Sequence, residues 1–327
     1  MNHSRRKFLG SLALGLAAPA VIGRAHAATT IVAASLLGED KPETLIWRHI
    51  ADAVEKELPG EFAFNIVPNA ALGGEKQVVE GIRLGSIQAS LSTLSNLSTW
   101  VPETQLFDLP FLFRDVEHLN AALAADAGTS LQVQLAAQGI VAPAFVYYGA
   151  RHLLSTEPLP TPKSVQGKRI RIIQSPLHAQ LWEDLGALPI ALPITETYNA
   201  LSTGHVDAMD LTKSAYAGFR LHEVVPHVTE TAHIHAAGSV VFSSQFWSRL
   251  SREEQEVFTS AAVEGATYFN ELMEADERSS VEAVSKEGAI FYAAEDRGAW
   301  EKGARGVWDL FADQVGGMSQ ILALKDL

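Results

Sequence analysis

The sequence predicts an α/β protein whose chain passes more than once between two lobes, on three observations. Strand and helix patterns alternate twice, over 30–92 and again over 168–210, which implies right-handed βαβ units and parallel sheet. No low-complexity linker divides the 327 residues, so a two-lobed chain must cross repeatedly. A helical pattern opened by the capping box Ser251-Arg252-Glu253-Glu254 need not end before Gly288. A helix of that length in a globular protein spans more than one lobe.

Residues 1–27 read as a targeting segment and stand outside the fold. Ser4-Arg5-Arg6-Lys7-Phe8-Leu9 gives a charged start, an apolar run covers 8–22, and Ala25-His26-Ala27 supplies a small-residue cleavage site before Ala28. The run is too short and too rich in Gly and Ala for a stable membrane span. The paired arginines followed by Phe-Leu resemble a twin-arginine export signal, with the general secretory route as the alternative. The mature chain is expected to be soluble and exported.

Residues 30–35 read as a buried strand. Pro42 opens a helix in which Leu45, Ile46, Ile50, Val54 and Leu58 share one face, and Pro59-Gly60 stops it. A second strand over 62–67, a turn over 69–74, a helix over 75–84 closed by Gly85 and a third strand over 87–92 complete the first unit. The polar stretch 93–99 follows that strand. Ligands in open α/β sheets sit beyond the carboxyl ends of strands, so Thr93 and Asn96 are pocket candidates, with capping of the next turn as their competing role. The run Phe107-Asp108-Leu109-Pro110-Phe111-Leu112-Phe113 reads as a core plug. Residues 115–138 are helical with a break near Gly128, and 140–148 form a strand. The second unit has strands over 168–173, 188–192 and 206–210 and helices over 176–185 and 195–203. Val240-Val241-Phe242 returns as a strand, and 296–327 is an amphipathic helical tail packing through Trp300, Val307, Trp308, Leu310 and Phe311.

Charge and composition narrow the function. The formal net charge is −13, and removing the leader's four basic residues takes it to −17. That excess argues against nucleic acid or an anionic membrane surface as partner. Any anion site must therefore be local and built from specific donors. With no cysteine there are no disulfides, thiolate metal sites, iron–sulfur clusters or Cys nucleophiles. His222-Glu223-Val224-Val225-Pro226-His227 fails as a metalloprotease helix, because its histidines are five apart and Pro226 breaks the helix. His233 and His235 alternate on an expected strand but lack a carboxylate at matching spacing, so no metal is assigned. No nucleophile elbow, phosphate loop or dinucleotide turn occurs, and no catalytic residue or cofactor is expected.

Two arginines stand out in this acidic chain, Arg151 and Arg171. Their planar forks donate paired hydrogen bonds to one carboxylate, which makes them the candidate anion clamp of a cleft between lobes. Alternation along 168–173 puts Arg169 and Arg171 on the same face. One of that pair can equally be a solvated edge charge or be tied to an acidic neighbour.

Further landmarks run in order along the mature chain: Pro68-Asn69-Ala70-Ala71-Leu72-Gly73-Gly74, Gly85-Ser86-Ile87-Gln88, Val101-Pro102-Glu103, the 107–113 plug, Gly149-Ala150-Arg151, Gly167-Lys168-Arg169-Ile170-Arg171, Leu185-Gly186-Ala187, Tyr198-Asn199-Ala200-Leu201-Ser202-Thr203-Gly204 with Val206-Asp207, and Thr231-Ala232-His233. In this order they resemble the DctP-type substrate-binding proteins of tripartite ATP-independent periplasmic (TRAP) transporters. The resemblance implies a two-lobed periplasmic binding protein fold, with the ligand cleft between the lobes and a long hinge-spanning helix. It divides the chain into lobe I (28–148 plus about 236–275) and lobe II (149–235 plus about 276–327). It also implies that Arg171 bridges to a ligand carboxylate with Arg151 in support, and that a small organic acid is delivered to a TRAP membrane permease. The protein is expected to be periplasmic and monomeric. Where the family often has Asp-Gly-x-Glu-Asn, this chain has Asp207-Ala208-Met209-Asp210-Leu211. Leu211 cannot replace the asparagine that often helps hold the ligand acid, and Asp210, Thr212 or Gln174 are the candidate substitutes.

Other classes fit the same sequence: the binding protein of an ABC importer, an exported hydrolase or lyase acting on a carboxylate substrate, and a structural or sensory domain. Dicarboxylates, 2-oxo acids, sugar acids and hydrophobic monocarboxylates all fit an arginine clamp. Leu211, Leu36 and Trp100 tilt the choice toward a less hydroxylated acid.

Overall fold

The computed structural model describes residues 28–327; the leader reading falls on 1–27, outside the described residues. Among the described residues, nine strands form one sheet: β1 (Thr29–Ala34), β2 (Phe62–Val67), β3 (Ala89–Thr93), β4 (Ile140–Ser155), β5 (Arg169–Ile172), β6 (Leu188–Ala191), β7 (Ala208–Thr212), β8 (His227–Ser243) and β9 (Ile290–Ala293). Their order is β2-β1-β3-β8-β4-β7-β5-β6, with β9 beside β8. At one end β2, β1 and β3 are parallel, and at the other β7, β5 and β6 are parallel, as the two βαβ patterns require. Antiparallel β4 and β8 run between these groups and belong to both.

Local sequence explains most of the helices: α1 (Pro42–Glu57), α2 (Glu75–Leu84), α3 (Leu94–Leu97), α4 (Val116–Ala124), α5 (Asp126–Ala137), α6 (Pro176–Asp184), α7 (Ile194–Ser202), α8 (Lys213–Gly218), α9 (Ser244–Trp247), α10 (Arg252–Lys286), α11 (Arg297–Ala304), α12 (Gly306–Phe311) and α13 (Met318–Lys325). The α10 capping box forms as expected, Ser251 Oγ accepting from Glu254 N at 3.2 Å. At 35 residues α10 is about 50 Å long. Gly265 does not break it. A Cβ there would press on Ile46 and Ile50, so glycine lets α10 approach the apolar face of α1. Phe258, Ala262, Phe269 and Met273 of α10 share a core with Ile46, Trp47 and Ile50, whereas Val284 packs with Met209, Leu211 and Tyr216. One helix thus serves the cores of both sheet groups.

Several expectations are corrected. The break in 115–138 falls at Ala125, an extended residue between α4 and α5, and not at Gly128. Gly128 lies in the first turn of α5, where any Cβ would strike the Leu123 carbonyl. The strand starting at Ile140 runs past Tyr148 to Ser155. Gly149, at φ 104°, marks a bulge in the ladder and not its end. The strand seen at 240–242 is the end of 17-residue β8, and β9 is additional. The tail is three helices with a break at Gly316 and Gly317, both left-handed. It reaches back to the first group, where the Leu324 carbonyl meets His118 Nε2 at 2.7 Å and Trp308 Nε1 donates to the Pro110 carbonyl at 2.8 Å. The 107–113 plug is core as expected, with Phe107, Leu109, Leu112 and Phe113 buried. No helix among the described residues is long and apolar enough to cross a membrane.

Candidate functional site

A cavity of about 250 Å³ opens between the two strand groups. One wall comes from the ends of β1 and β3 and the first turns of α1 and α2; the other comes from β4, β5, β7 and the segment after β6. Arg171, Arg151, Thr93, Asn96, Gln174, Leu211 and Thr212 all line it, while Asp210 does not.

Arg171 sits on β5 and is only 3% exposed. Its Nε donates to the Leu192 carbonyl at 2.9 Å, which fixes the plane of the fork. Its two terminal nitrogens have no protein partner among the described residues and face the cavity. Burial, with Arg151 adding like charge, pushes its pKa down to about 10. Arg169, on the same face of the strand, is held by Asp207, with Nε donating to Oδ2 at 3.0 Å, and is partly exposed at the start of β5.

Arg151 is balanced differently. Its partner on β7 is Thr212 by register, and the neighbouring Asp210 accepts from Nε through Oδ2 at 2.6 Å and from an Nη through its backbone carbonyl at 2.8 Å. Asp210 is fully buried and also accepts from His233 Nε2 at 3.1 Å. Burial alone would raise its carboxyl, but Arg151 and His233 hold it well below the usual range. Asp210 therefore stands behind Arg151 and neutralises it, and cannot stand in for the missing asparagine at the cavity surface. Burial in turn keeps His233 below its ordinary value. Behind this pair lies His178, fully buried, with ring nitrogens 3.6 Å from Asp108 and 3.8 Å from Asp210.

Thr93 takes both of its expected roles. Its Oγ1 accepts from Asn96 N at 3.2 Å, capping α3, and donates to Glu75 Oε1 at 2.8 Å while the residue lines the cavity. Asn96 is anchored on Ser92 through Nδ2 at 3.2 Å. Leu36 lines the cavity, whereas Trp100 lies elsewhere, against the Arg83 guanidinium. His235 is bonded to the Tyr147 hydroxyl at 3.1 Å, and no set of three possible metal ligands occurs among the described residues.

Sequence reasoning missed Glu43, Glu75 and Tyr148, all in the lining. Glu43 accepts from Leu36 N at 2.7 Å, and burial pushes its pKa up to about 7. Burial likewise raises Glu75 despite the donors from Ser92 and Thr93. Both acids stand in the first turn of a helix, where a carboxylate is usually read as a dipole partner. Only the βα topology turns those two helix starts toward the same hollow.

The family model for bacterial extracellular solute-binding protein, family 7 (DctP), matches residues 33–314. The chain belongs to this family. Among curated relatives, this DctP-family protein is 30% identical to the C4-dicarboxylate-binding periplasmic protein DctP of Shewanella loihica, over 89% of this chain and 87% of that one. It is 27% identical to the 2,3-diketo-L-gulonate-binding periplasmic protein of Escherichia coli, over 86% and 84% of the two chains. Among solved structures, a TRAP periplasmic solute-binding protein from Bradyrhizobium in complex with galacturonate superposes with a TM-score of 0.88 at 27% identity, covering 91% of this chain and all of that one. Another from Shewanella oneidensis, with bound succinate, gives 0.87 at 26% identity, covering 92% and 99%. The architecture of this DctP-family protein is thus the two-lobed α/β fold of periplasmic binding proteins.

Proposed function

We propose that this protein captures a small organic acid in the cavity between its lobes, through a salt bridge from Arg171 to the ligand carboxylate, and delivers it to a TRAP membrane permease without chemical change. The observation that carries the proposal is the state of the two guanidiniums. Arg151 is already neutralised by Asp210, whereas Arg171 is buried, anchored on the Leu192 carbonyl and has its two terminal nitrogens directed at the cavity. A desolvated cation without a counter-ion is costly, and a ligand carboxylate relieves that cost when it binds. The structural relatives with succinate and galacturonate carry ligands of the same acid chemistry, which supports the reading.

The proposed lobes are 28–148 with about 236–275, and 149–235 with about 276–327, the final helix leaning back on the first lobe. The pivot is the point where Gly149 pairs with Ala236 and the β4–β8 register shifts. Export through the twin-arginine-type leader and a monomeric state belong to the same proposal. A melting-shift screen over organic acids, followed by calorimetry and recovery of the bound acid, tests it. Micromolar binding of an intact acid that Arg171→Ala weakens by about two to four decades supports it. Unchanged affinity in Arg171→Ala overturns it.

A further inference from the structure

The two walls of the cavity differ in hydrogen-bonding character. The β5–β7 wall offers donors: the free nitrogens of Arg171, the remaining nitrogen of Arg151, and Gln174. The opposite wall offers acceptors. Glu43, only 5% exposed, bonds Leu36 N and Ser35 through Oε1; Glu75 takes the Thr93 hydroxyl and Ser92 through its own Oε1. The second oxygen of each carboxyl has no protein partner among the described residues and opens on the cavity. Tyr148 lines the same space, close to both acids. Lys76 and Glu80, one turn apart at the rim on α2, oppose each other in charge and leave the balance unchanged.

We infer that the ligand is a monocarboxylate bearing hydrogen-bond donors, hydroxyl or ammonium, at the end remote from its carboxylate, and that Glu43 and Glu75 exclude dicarboxylates. This rests on the Arg171 clamp proposed above and adds the identity of the other pole. With Arg151 spent on Asp210, Arg171 is the guanidinium of the lining left to pair with a ligand carboxylate. Above about pH 7, where Glu43 gives up its proton, a second carboxylate would lie against a charged acid in a water-poor space, a like-charge contact that binding sites use to reject wrong partners. A hydroxyl or ammonium group instead donates to the free oxygens. That polar pole replaces the less hydroxylated acid that Leu211, Leu36 and Trp100 suggested.

Calorimetry on the mature wild-type protein with gluconate and galacturonate (hydroxyl arm), 4-aminobutyrate (ammonium arm), succinate and butyrate decides the matter. The expected result is that the tightest acid of the hydroxyl or ammonium arm binds at least about tenfold more tightly than either succinate or butyrate. At pH 8, Glu43→Gln, whose amide donates where the ionised acid repels, should raise succinate affinity and lower that of the preferred acid. If Glu43→Gln does not fold, Glu75→Gln provides the same readout. Succinate binding as tightly as the best donor-bearing acid overturns the inference, as does an unchanged preference in a folded variant. In either case, loss of binding in Arg171→Ala leaves the clamp intact. No binding by any of these acids overturns the inference, whereas binding that persists unchanged in Arg171→Ala overturns the clamp.

Discussion

Replacing Arg171 with methionine should stabilise the unliganded protein while removing its affinity, two effects of opposite sign from one side chain. The guanidinium is buried without a counter-ion, and its pKa falls from the ordinary arginine range to about 10. Because the folded-state value lies below the unfolded one, the charged form costs stability in full at every pH below about 10, and the cost fades only as pH rises toward the ordinary arginine range. At neutral pH that displacement is worth about 3 kcal/mol. Methionine keeps an apolar stem in place and gives up the Nε bond to the Leu192 carbonyl, about 1 kcal/mol. The net gain is about 2 kcal/mol, which in a chain of this size raises the melting temperature by several degrees. Affinity moves the other way, by about 3–5 kcal/mol, because the ligand acid loses its partner inside a closed cavity. Calorimetric melting without ligand and titration with the tightest acid from the screen measure both. A melting temperature that drops by several degrees, or an affinity that survives, would refute the argument that Arg171 is an unpaid charge waiting for an anion.

Asp210→Asn should do the reverse of Arg171→Met, losing about 3–5 kcal/mol in chemical denaturation because it strands Arg151 and the His233 bond in the interior. Arg169→Ala should leave ligand affinity unchanged by titration, since its guanidinium is committed to Asp207 and stands outside the cavity lining. Glu43 holds its proton to about pH 7 in the folded protein and to 4.5 when unfolded, so its contribution to stability falls as pH rises from about 4.5 to 7. Buried His152 and His233, both held below their ordinary values, act in the opposite direction, so the comparison is between variants. Glu43→Gln should gain up to about 3 kcal/mol over wild type at pH 8 and nothing at pH 4.5, followed by melting across that range. Gly149→Ala forces a left-handed residue and a contact with Glu277 and Thr212 at the pivot, and should destabilise by at least about 1–3 kcal/mol in denaturant unfolding.

The two βαβ patterns, the helix starts at Pro42 and Ser251 and the stop at Gly85 were all legible in the sequence. Each depends on a periodicity or cap that a few adjacent residues complete by themselves. The long strands were not. Gly149 looks like a strand end when read locally, but β8 continues the ladder across it and makes it a bulge. Gly128 looks like a helix breaker, but its missing Cβ makes room for the Leu123 carbonyl.

The site divides in the same way. The sequence alone determined that a local cation must serve any anion in so acidic a chain, and it put Arg151 and Arg171 forward. It could not say which of them was free. That was decided by Asp210, 59 residues from Arg151, which the β4–β7 register brings to its guanidinium, and by Asp207 on Arg169, 38 residues away. Nor could it assign Glu43 and Glu75, which become a single acceptor wall only when parallel strands direct two helix starts into one hollow. Periodicity is written in neighbouring residues, whereas charge pairing is settled by which distant side chains the sheet brings within about 3 Å.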